Sequence, residues 1–255
     1  MRSARLIPAR RPAVVLVAHG SRDPRAAVAT EALARAVHRA RPDWTVRASY
    51  LDHAGPRPLD VLASLPAGSR AALVPLLLTS AYHGRVDLPA VVEAARPLPV
   101  RVGLTEVLGP APGAGPVSPL LLSALWRRLA VTEPELDAVV LASAGTRDAA
   151  ARRTVADAAA AFGRWLGIPA AVAYASGEGP NAGEAVTALR AAGARRPAMA
   201  AYFLAPGLLY DTAARTAREA GAVAVAEPLG AVPELVRLVA ARADSVLGHV
   251  AASAA

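Results

Sequence analysis

Short apolar runs alternate along the chain with longer segments in which apolar residues recur at helical spacing. The runs predict strands at 13–18, 45–51, 71–78, 100–104, 138–143, 169–174, 198–204 and 222–226. The longer segments predict helices at 24–40, 58–65, 88–96, 119–130, 148–166, 181–193, 211–220 and 232–247. Continuously apolar strands that alternate with helices are typical of a parallel sheet covered on both faces.

The two halves of the chain also resemble each other. Three pairs of segments match at offsets of 125, 126 and 121 residues: 13–23 with 138–148, 73–87 loosely with 199–213, and 105–109 with 226–230. A nearly constant offset indicates an internal duplication. The sequence therefore predicts an α/β protein with two similar doubly wound lobes, each holding a four-stranded parallel sheet of order 2-1-3-4. The shorter last offset favours an insertion in the first half, within residues 110–119.

The predicted organisation has four parts. These are a basic leader over 1–12, an N-terminal lobe over 13–131, a C-terminal lobe over 132–247 and a tail over 248–255. The leader lacks the apolar region of a signal peptide, and no apolar stretch is long enough to span a membrane. The sequence has no cysteine, which excludes disulfides and thiolate metal ligands, and we expect a cytoplasmic protein.

The net charge of +8 changes the range of partners to consider. All 28 basic residues are arginine, and they are scattered without interleaved aromatic residues. This distribution argues against a nucleic-acid surface and leaves an anionic small molecule open as the substrate. We expect no nucleic-acid or membrane partner and a monomeric protein.

Candidate metal ligands follow three of the predicted strands in the first half. His19 ends the first strand, Asp52 the second, and His83 follows the third. Ligands of doubly wound sheets bind beyond the carboxyl ends of the strands, where the strand order reverses, so we expect these side chains at one rim. Imidazole suits Fe, Co, Ni or Zn and is also a base near neutral pH. The alternatives are structural or solvated histidines and a carboxylate that faces water.

Other catalytic patterns are missing from the sequence. It contains neither the G-x-S-x-G of a nucleophile elbow nor the lysine that a P-loop requires, which disfavours a doubly wound hydrolase. Among the other histidines, His38 is expected to face solvent from a helix, and no role is expected for His249. His53 is left open between an idle residue and one that supports the metal site indirectly.

Several motifs together resemble one known family. The segments are LVAHGSRDPRA (16–26), SYLDHAGP (49–56), VPLLLTSAYHGRVDLP (74–89), YFLAPG (202–207) and PLG (228–230). They resemble the CbiX/SirB-type sirohydrochlorin chelatases in their long, duplicated form, over about residues 13 to 240. The resemblance implies ATP-independent insertion of Co²⁺ or Fe²⁺ into sirohydrochlorin, for cobalamin or sirohaem biosynthesis. The metal, with Ni²⁺ as a further candidate, is then a substrate, and no organic cofactor is expected.

The resemblance also implies roles for particular residues. His19 and His83 would bind the metal and accept the displaced pyrrole protons, with Asp52 as a further ligand. The substrate carries eight carboxylates, and the residues expected to contact it are Ser21, Arg22, Arg25, Ser80 and Arg85. The alternative for each arginine is a solvated surface position.

The sequence departs from the family pattern at one site residue and in the whole second copy. Gly55 stands where family members commonly carry an acidic residue before the proline. In the second copy Ala144 replaces His19, and Leu209 replaces His83 in the loose alignment. We therefore expect the C-terminal lobe to shape the cleft without binding metal. The alternative function is a metal or tetrapyrrole carrier that uses the same cleft without catalysis.

Overall fold

The structure, a computed structural model, describes residues 11–79, 87–111, 115–131 and 135–252. The first half contains β1 (Ala13–Ala18), α1 (Pro24–Ala40), β2 (Thr45–Tyr50), α2 (Pro58–Ala63), β3 (Ser69–Pro75), α3 (Leu88–Ala94), β4 (Val100–Leu104) and α4 (Pro119–Ala130). The second half contains β5 (Ala138–Ser143), α5 (Ala149–Leu166), β6 (Ala170–Tyr174), α6 (Ala182–Ala191), β7 (Pro197–Tyr202), α7 (Leu208–Glu219), β8 (Ala224–Val225) and α8 (Pro233–Ala252). The predicted alternation is confirmed throughout these elements.

The strands form two separate parallel sheets. The first has the order β2-β1-β3-β4 and the second the order β6-β5-β7-β8. Both orders reverse between the first and third strand of the lobe, as the sequence predicts, so the fold class is confirmed. Within the described residues, no helix combines the length and the apolar character needed to cross a bilayer.

The same residue type starts the first long helix of each half. Asp23 accepts a hydrogen bond from the backbone N–H of Arg25 at 2.9 Å, and Pro24 occupies the first turn of α1. Asp148 accepts from the N–H of Ala150 at 2.8 Å at the start of α5. An aspartate before a helix satisfies N–H groups that have no partner inside the helix, which fixes where the chain leaves each strand.

Alternate residues of each strand face two different cores. On β1, Val14 and Leu16 face a large central core that lies between the two sheets. Val15 and Val17 face a smaller outer core under α2 and α3. The second sheet repeats the arrangement, with α6 and α7 on its outer face. The molecule is thus built in layers, and the helices between the sheets belong to both lobes.

The last helix of each half packs on the sheet of the other half. α8 packs against β3, β4 and α1, whereas α4 packs against β7 and α5. Hydrogen bonds support this exchange, because Arg70 donates to the Leu247 carbonyl and Arg242 donates to the Val107 carbonyl, both at 3.1 Å. The predicted boundary near residue 131 divides the chain in sequence. In space, however, a helix from each side of this boundary packs on the sheet of the other side. Residues 132–134 lie outside the described residues.

Strand register confirms the first two sequence offsets. Ala13 pairs with Ala71 in the first sheet, and Ala138 pairs with Pro197 in the second. The equivalent positions in β1 and β5 are therefore 125 residues apart, and those in β3 and β7 are 126 apart. The strands of the two halves therefore pair at equivalent positions, as the duplication inferred from the sequence predicts.

The predicted place of the insertion was wrong. Gly103 on β4 and Ala224 on β8 occupy equivalent register positions, so the offset is already 121 at this strand. An insertion within 110–119 lies downstream and does not account for it. The five additional residues of the first half fall between β3 and β4, in the segment 76–102.

The connections that follow β3 and β7 differ in length. The connection from β3 to α3 spans residues 76–87, twelve positions, whereas β7 and α7 are joined by the five residues 203–207. His83 belongs to the longer connection, in a part outside the described residues. Leu209 lies in the first turn of α7, and its pairing with His83 stays a prediction.

Candidate functional site

His19 lies at the carboxyl end of β1, where the sequence analysis expects it, and its side chain is exposed. The turn that follows holds it against the end of β2. The backbone N–H of Asp52 donates to the carbonyl of His19 at 2.8 Å. Gly20 has a φ of +96°, and a Cβ there would meet the Asp52 carbonyl oxygen. Only glycine allows the two backbones to come so close with this φ.

Asp52 and His53 lie together beside His19. The Nε2 atom of His53 lies 3.6 Å from a carboxylate oxygen of Asp52, and the rings of His53 and His19 are 6.3 Å apart, edge to face. The backbone N–H of His53 donates to Asp52 at 2.8 Å. This hydrogen bond first, and then the charges of His53, Arg57 and His19, lower the pKa of Asp52. Asp52 is therefore a carboxylate at neutral pH.

His53 has an unusual backbone conformation for a residue with a side chain. Its φ is +57°, the one positive φ that the described residues show outside glycine. Histidine is among the residues that tolerate this region, at some cost in free energy. The conformation turns the chain so that Asp52 and His53 both lie at the strand end. The question left open by the sequence is answered in part, because His53 contacts the candidate site.

Two openings meet at His19. One is a cavity of about 150 Å³ between the lobes, to which the second half contributes Leu204, Ala205 and Gly230. The other lies toward the outer face, where His19, Asp52 and Asp87 line the wall with α2 and α3. His19 is thus reachable both from the interlobe cleft and from the side on which the His83 connection rejoins α3.

The structure places the other predicted residues as follows. Ser21 lies beside His19 and accepts a hydrogen bond from the backbone N–H of Asp23 at 3.0 Å. Arg22 is exposed and makes no ion pair with any residue that the structure describes. Ser80, His83 and Arg85 lie outside the described residues. Among the described residues alone, no group of three or more potential metal ligands is found.

The guanidinium of Arg25 is hydrogen-bonded to two carboxylates and does not face solvent alone. Its Nε and Nη2 atoms donate to Asp23, and Nη1 and Nη2 donate to Asp211 of α7 at 3.4 and 2.6 Å. Hydrogen bonds to these two carboxylates, with Asp23 contributing more, raise the pKa of Arg25. The sequence analysis missed Asp211, because no pattern connects positions 186 residues apart.

The second half has the same turn after its first strand, but without a histidine or a carboxylate at the positions of His19 and Asp52. Ala144 follows β5 at the position equivalent to His19, and a Cβ on Gly145 would meet the Ser176 carbonyl oxygen as Gly20 meets Asp52. The Ser176 hydroxyl donates to the Ala144 carbonyl at 2.7 Å. The second lobe therefore has an alanine and a serine where the first has His19 and Asp52. The prediction that Ala144 replaces His19 is confirmed.

Three residues near His19 were missed or left open by the sequence analysis. They are His53, Asp87 and Arg57, whose guanidinium lies 3.8 Å from Asp52 and also donates to the Leu51 carbonyl. The dipeptide Asp52-His53 at a strand end is the signal that favours His53. Asp87 precedes a helix and has no pattern of its own.

Comparison with known protein families gives one match over most of the chain. The model of the family described as CbiX matches residues 13–119 and again residues 138–246. The two matched segments correspond to the two lobes and to the internal duplication. A comparison with curated protein sequences gives no match.

Several solved structures have a similar architecture. SirB from Bacillus subtilis with Fe³⁺ is 22% identical, with a TM-score of 0.70 over 91% of this chain and 94% of the other. The sirohydrochlorin chelatase SirB from Bacillus subtilis subspecies spizizenii, in complex with cobalt, is 19% identical, with a TM-score of 0.72 over 93% and 96%. CbiX, described as the terminal enzyme of sirohaem biosynthesis in denitrifying bacteria, is 18% identical, with a TM-score of 0.63 over 91% and 97%. At these identities the likeness concerns the fold.

Proposed function

Because this chain belongs to the CbiX family, we propose that it inserts a divalent metal ion into sirohydrochlorin without ATP. The metal substrate is Co²⁺ or Fe²⁺, and the product serves cobalamin or sirohaem biosynthesis. One observation carries the proposal: His19 stands at the carboxyl end of β1 with Asp52 hydrogen-bonded to its backbone. His19 lines the cavity between the lobes and, together with Asp52, the opening toward the outer face. This is the edge at which ligands of such sheets bind.

In this proposal, His19, His83 and Asp52 bind the metal before and during its transfer. Imidazole nitrogen and carboxylate oxygen suit first-row divalent ions, and no thiolate competes in a chain without cysteine. The pKa of Asp52 is lowered, so its carboxylate needs no proton loss to bind a cation. The pair of His53 and Arg57 beside it keeps that carboxylate in place.

Insertion exchanges one metal ion for two protons. The metal bonds to four ring nitrogens, and the two pyrrole N–H protons leave to a base. A histidine that releases the metal regains a free nitrogen lone pair, so it can accept a proton at the moment of transfer. His19 and His83 are the proposed acceptors. The protons then pass to solvent, to which His19 is exposed.

The substrate's charge gives the arginines their proposed role. Arg22 and Arg25 follow His19 by three and six residues, and Arg85 follows His83 by two. Guanidinium groups bind carboxylates in a bidentate geometry, and sirohydrochlorin carries eight of them. Ser21 and Ser80 complete the proposed contacts. The second lobe supplies the facing wall through Leu204 and Ala205.

The test is an anaerobic absorbance assay with sirohydrochlorin and Co²⁺, Fe²⁺ or Ni²⁺ in parallel. The expected result is an insertion rate well above that of the same mixture without protein, and unchanged by ATP. If the protein binds the metal ion and sirohydrochlorin but does not raise the insertion rate, it is a carrier. Absence of macrocycle binding would remove the proposal.

A further inference from the structure

Arg25 is held so that one edge of its guanidinium is presented to the opposite lobe. Asp23, two residues earlier, accepts from Nε at 3.0 Å and from Nη2 at 2.5 Å, and also caps α1. The remaining edge, Nη1 and Nη2, faces the two carboxylate oxygens of Asp211 at 3.4 and 2.6 Å. Two parallel donors facing two oxygens form the geometry in which arginine recognises a carboxylate.

This contact joins the two lobes beside the cavity between them, because Ala26, the residue after Arg25, lines that cavity. We call this position the mouth of the cleft. Arg25 lies in the first turn of α1, six residues after His19, and Asp211 lies in the first turn of α7. Exposed aliphatic side chains flank the pair on both lobes, with Val28 65% and Leu208 76% exposed. Both partners of the ion pair remain partly exposed, so another carboxylate from solution can reach the same guanidinium edge.

We propose that Asp211 occupies, in the empty protein, the position on Arg25 that a carboxylate of the substrate takes when it binds. The inference rests on the proposed function. Asp211 is then an internal competitor that holds Arg25 in its binding orientation and ties the lobes together until the polycarboxylate replaces it. Binding at Arg25 releases α7 from α1 and thereby couples substrate entry to opening of the mouth.

The proposal predicts effects of opposite sign for the two partners. Asp211→Asn removes the competing charge and strengthens binding of metal-free sirohydrochlorin. Arg25→Ala removes the site and weakens binding. The expected change is about fivefold in Kd in each direction, the upper range for an exposed charge pair. A purely structural link between the lobes predicts instead that both substitutions change binding in the same direction.

A second ion-pair network provides the matched control. Arg41, at the other end of α1, contacts a local aspartate, Asp43, at 3.4 Å and an aspartate of the other half, Asp244, at 2.7 Å. It repeats the arrangement of one guanidinium between two carboxylates, about 25 Å away along the helix. Arg41→Ala and Asp244→Asn should leave macrocycle binding unchanged.

The experiment is a fluorescence or absorbance titration of metal-free sirohydrochlorin into the full chain and the four variants, at low and at 1 M salt. Opposite shifts for Asp211→Asn and Arg25→Ala at low salt, shrinking at 1 M salt, support the proposal. Shifts of the same sign, no shift, or equal shifts in the control pair overturn it. Failure of the unsubstituted protein to bind contradicts the proposed function itself, and with it this inference, and is recognised before any variant is compared.

Discussion

Gly20 faces the carbonyl oxygen of Asp52 so closely that a Cβ on Gly20 would lie 1.8 Å from it. The relationship is repeated in the second half, where a Cβ on Gly145 would lie 1.9 Å from the Ser176 carbonyl oxygen. Both glycines have a positive φ, +96° and +92°. The turn is thus a property of the duplicated fold, and the proposed metal ligands His19 and Asp52 lie on one copy of it.

Substitution of the two glycines can distinguish the role of the turn in stability from its proposed role in chelation. Gly20→Ala and Gly145→Ala should each lower the free energy of unfolding by roughly 1–3 kcal/mol, because each forces a Cβ against a carbonyl oxygen at a positive φ. Only Gly20→Ala should also abolish chelation, since only that turn carries His19 and Asp52. Urea unfolding and insertion rates, measured where both variants remain folded, check this. Equal loss of activity in the two variants would contradict the placement of the site.

Substitution of the histidines tests the chemistry directly. His19→Ala and His83→Ala should each lower the insertion rate by about a hundredfold or more, because each removes a metal ligand and a proton acceptor. The losses should not add in the double variant, since the two groups act as one unit. Ala144→Ser, at the equivalent position of the second lobe, is the control and should retain activity. Near-normal turnover by His83→Ala would remove it from the site.

Glu234 links the exchanged helices and gives a prediction about acid stability. It is buried on α8 and accepts from Arg127 of α4 at 2.6 and 2.7 Å. These hydrogen bonds lower the pKa of Glu234 below its usual value of 4.5. The folded protein therefore binds this proton less readily than the unfolded chain, so the stabilisation is complete above about pH 4.5 and is lost as the pH falls through the lowered pKa.

The corresponding variant is Glu234→Gln. It should cost about 1–3 kcal/mol at pH 7, the usual range for a hydrogen bond to a charged group, and should flatten the decrease of stability with acid. Unfolding free energies between pH 3 and 7 measure both effects. A variant with the same acid dependence as the unsubstituted protein would show that other carboxylates cause it.

Removal of α8, which belongs to the second half in sequence, should destabilise the first lobe. A chain ending at residue 232 loses the helix that covers β3 and β4, so the central face of the first sheet is exposed to water. Hydrogen exchange should then rise first in β3 and β4, and later in β5 and β7. Faster exchange in the second sheet would contradict the packing.

The sequence predicted the elements and their order because strand and helix periods are local signals. It also placed His19 and Asp52 at one rim, since the ends of adjacent parallel strands meet. It did not predict that α4 and α8 exchange sheets, because an apolar helix face does not specify which of two similar sheets it covers. Nor did it predict the contact of Arg25 with Asp211, which joins residues of the two lobes that are far apart in sequence.

The insertion was misplaced for a related reason. The proline- and glycine-rich segment 110–119 is typical of an insertion in composition, whereas the actual additional residues lie between β3 and β4. Strand pairing was needed to locate them, because it fixes equivalent positions independently of composition. The connection that contains His83 is also longer than the corresponding connection of the second lobe, 203–207.

The exchange of α4 and α8 has a consequence for how the two copies have diverged. Each copy supplies a structural part of the other, so deletion of the inactive copy would also expose the sheet that carries His19. The second copy is therefore needed as scaffold whether or not it takes part in the reaction. Its strand ends carry Ala144 and Ser176, whereas its last helix contributes the buried Glu234 to the packing against α4.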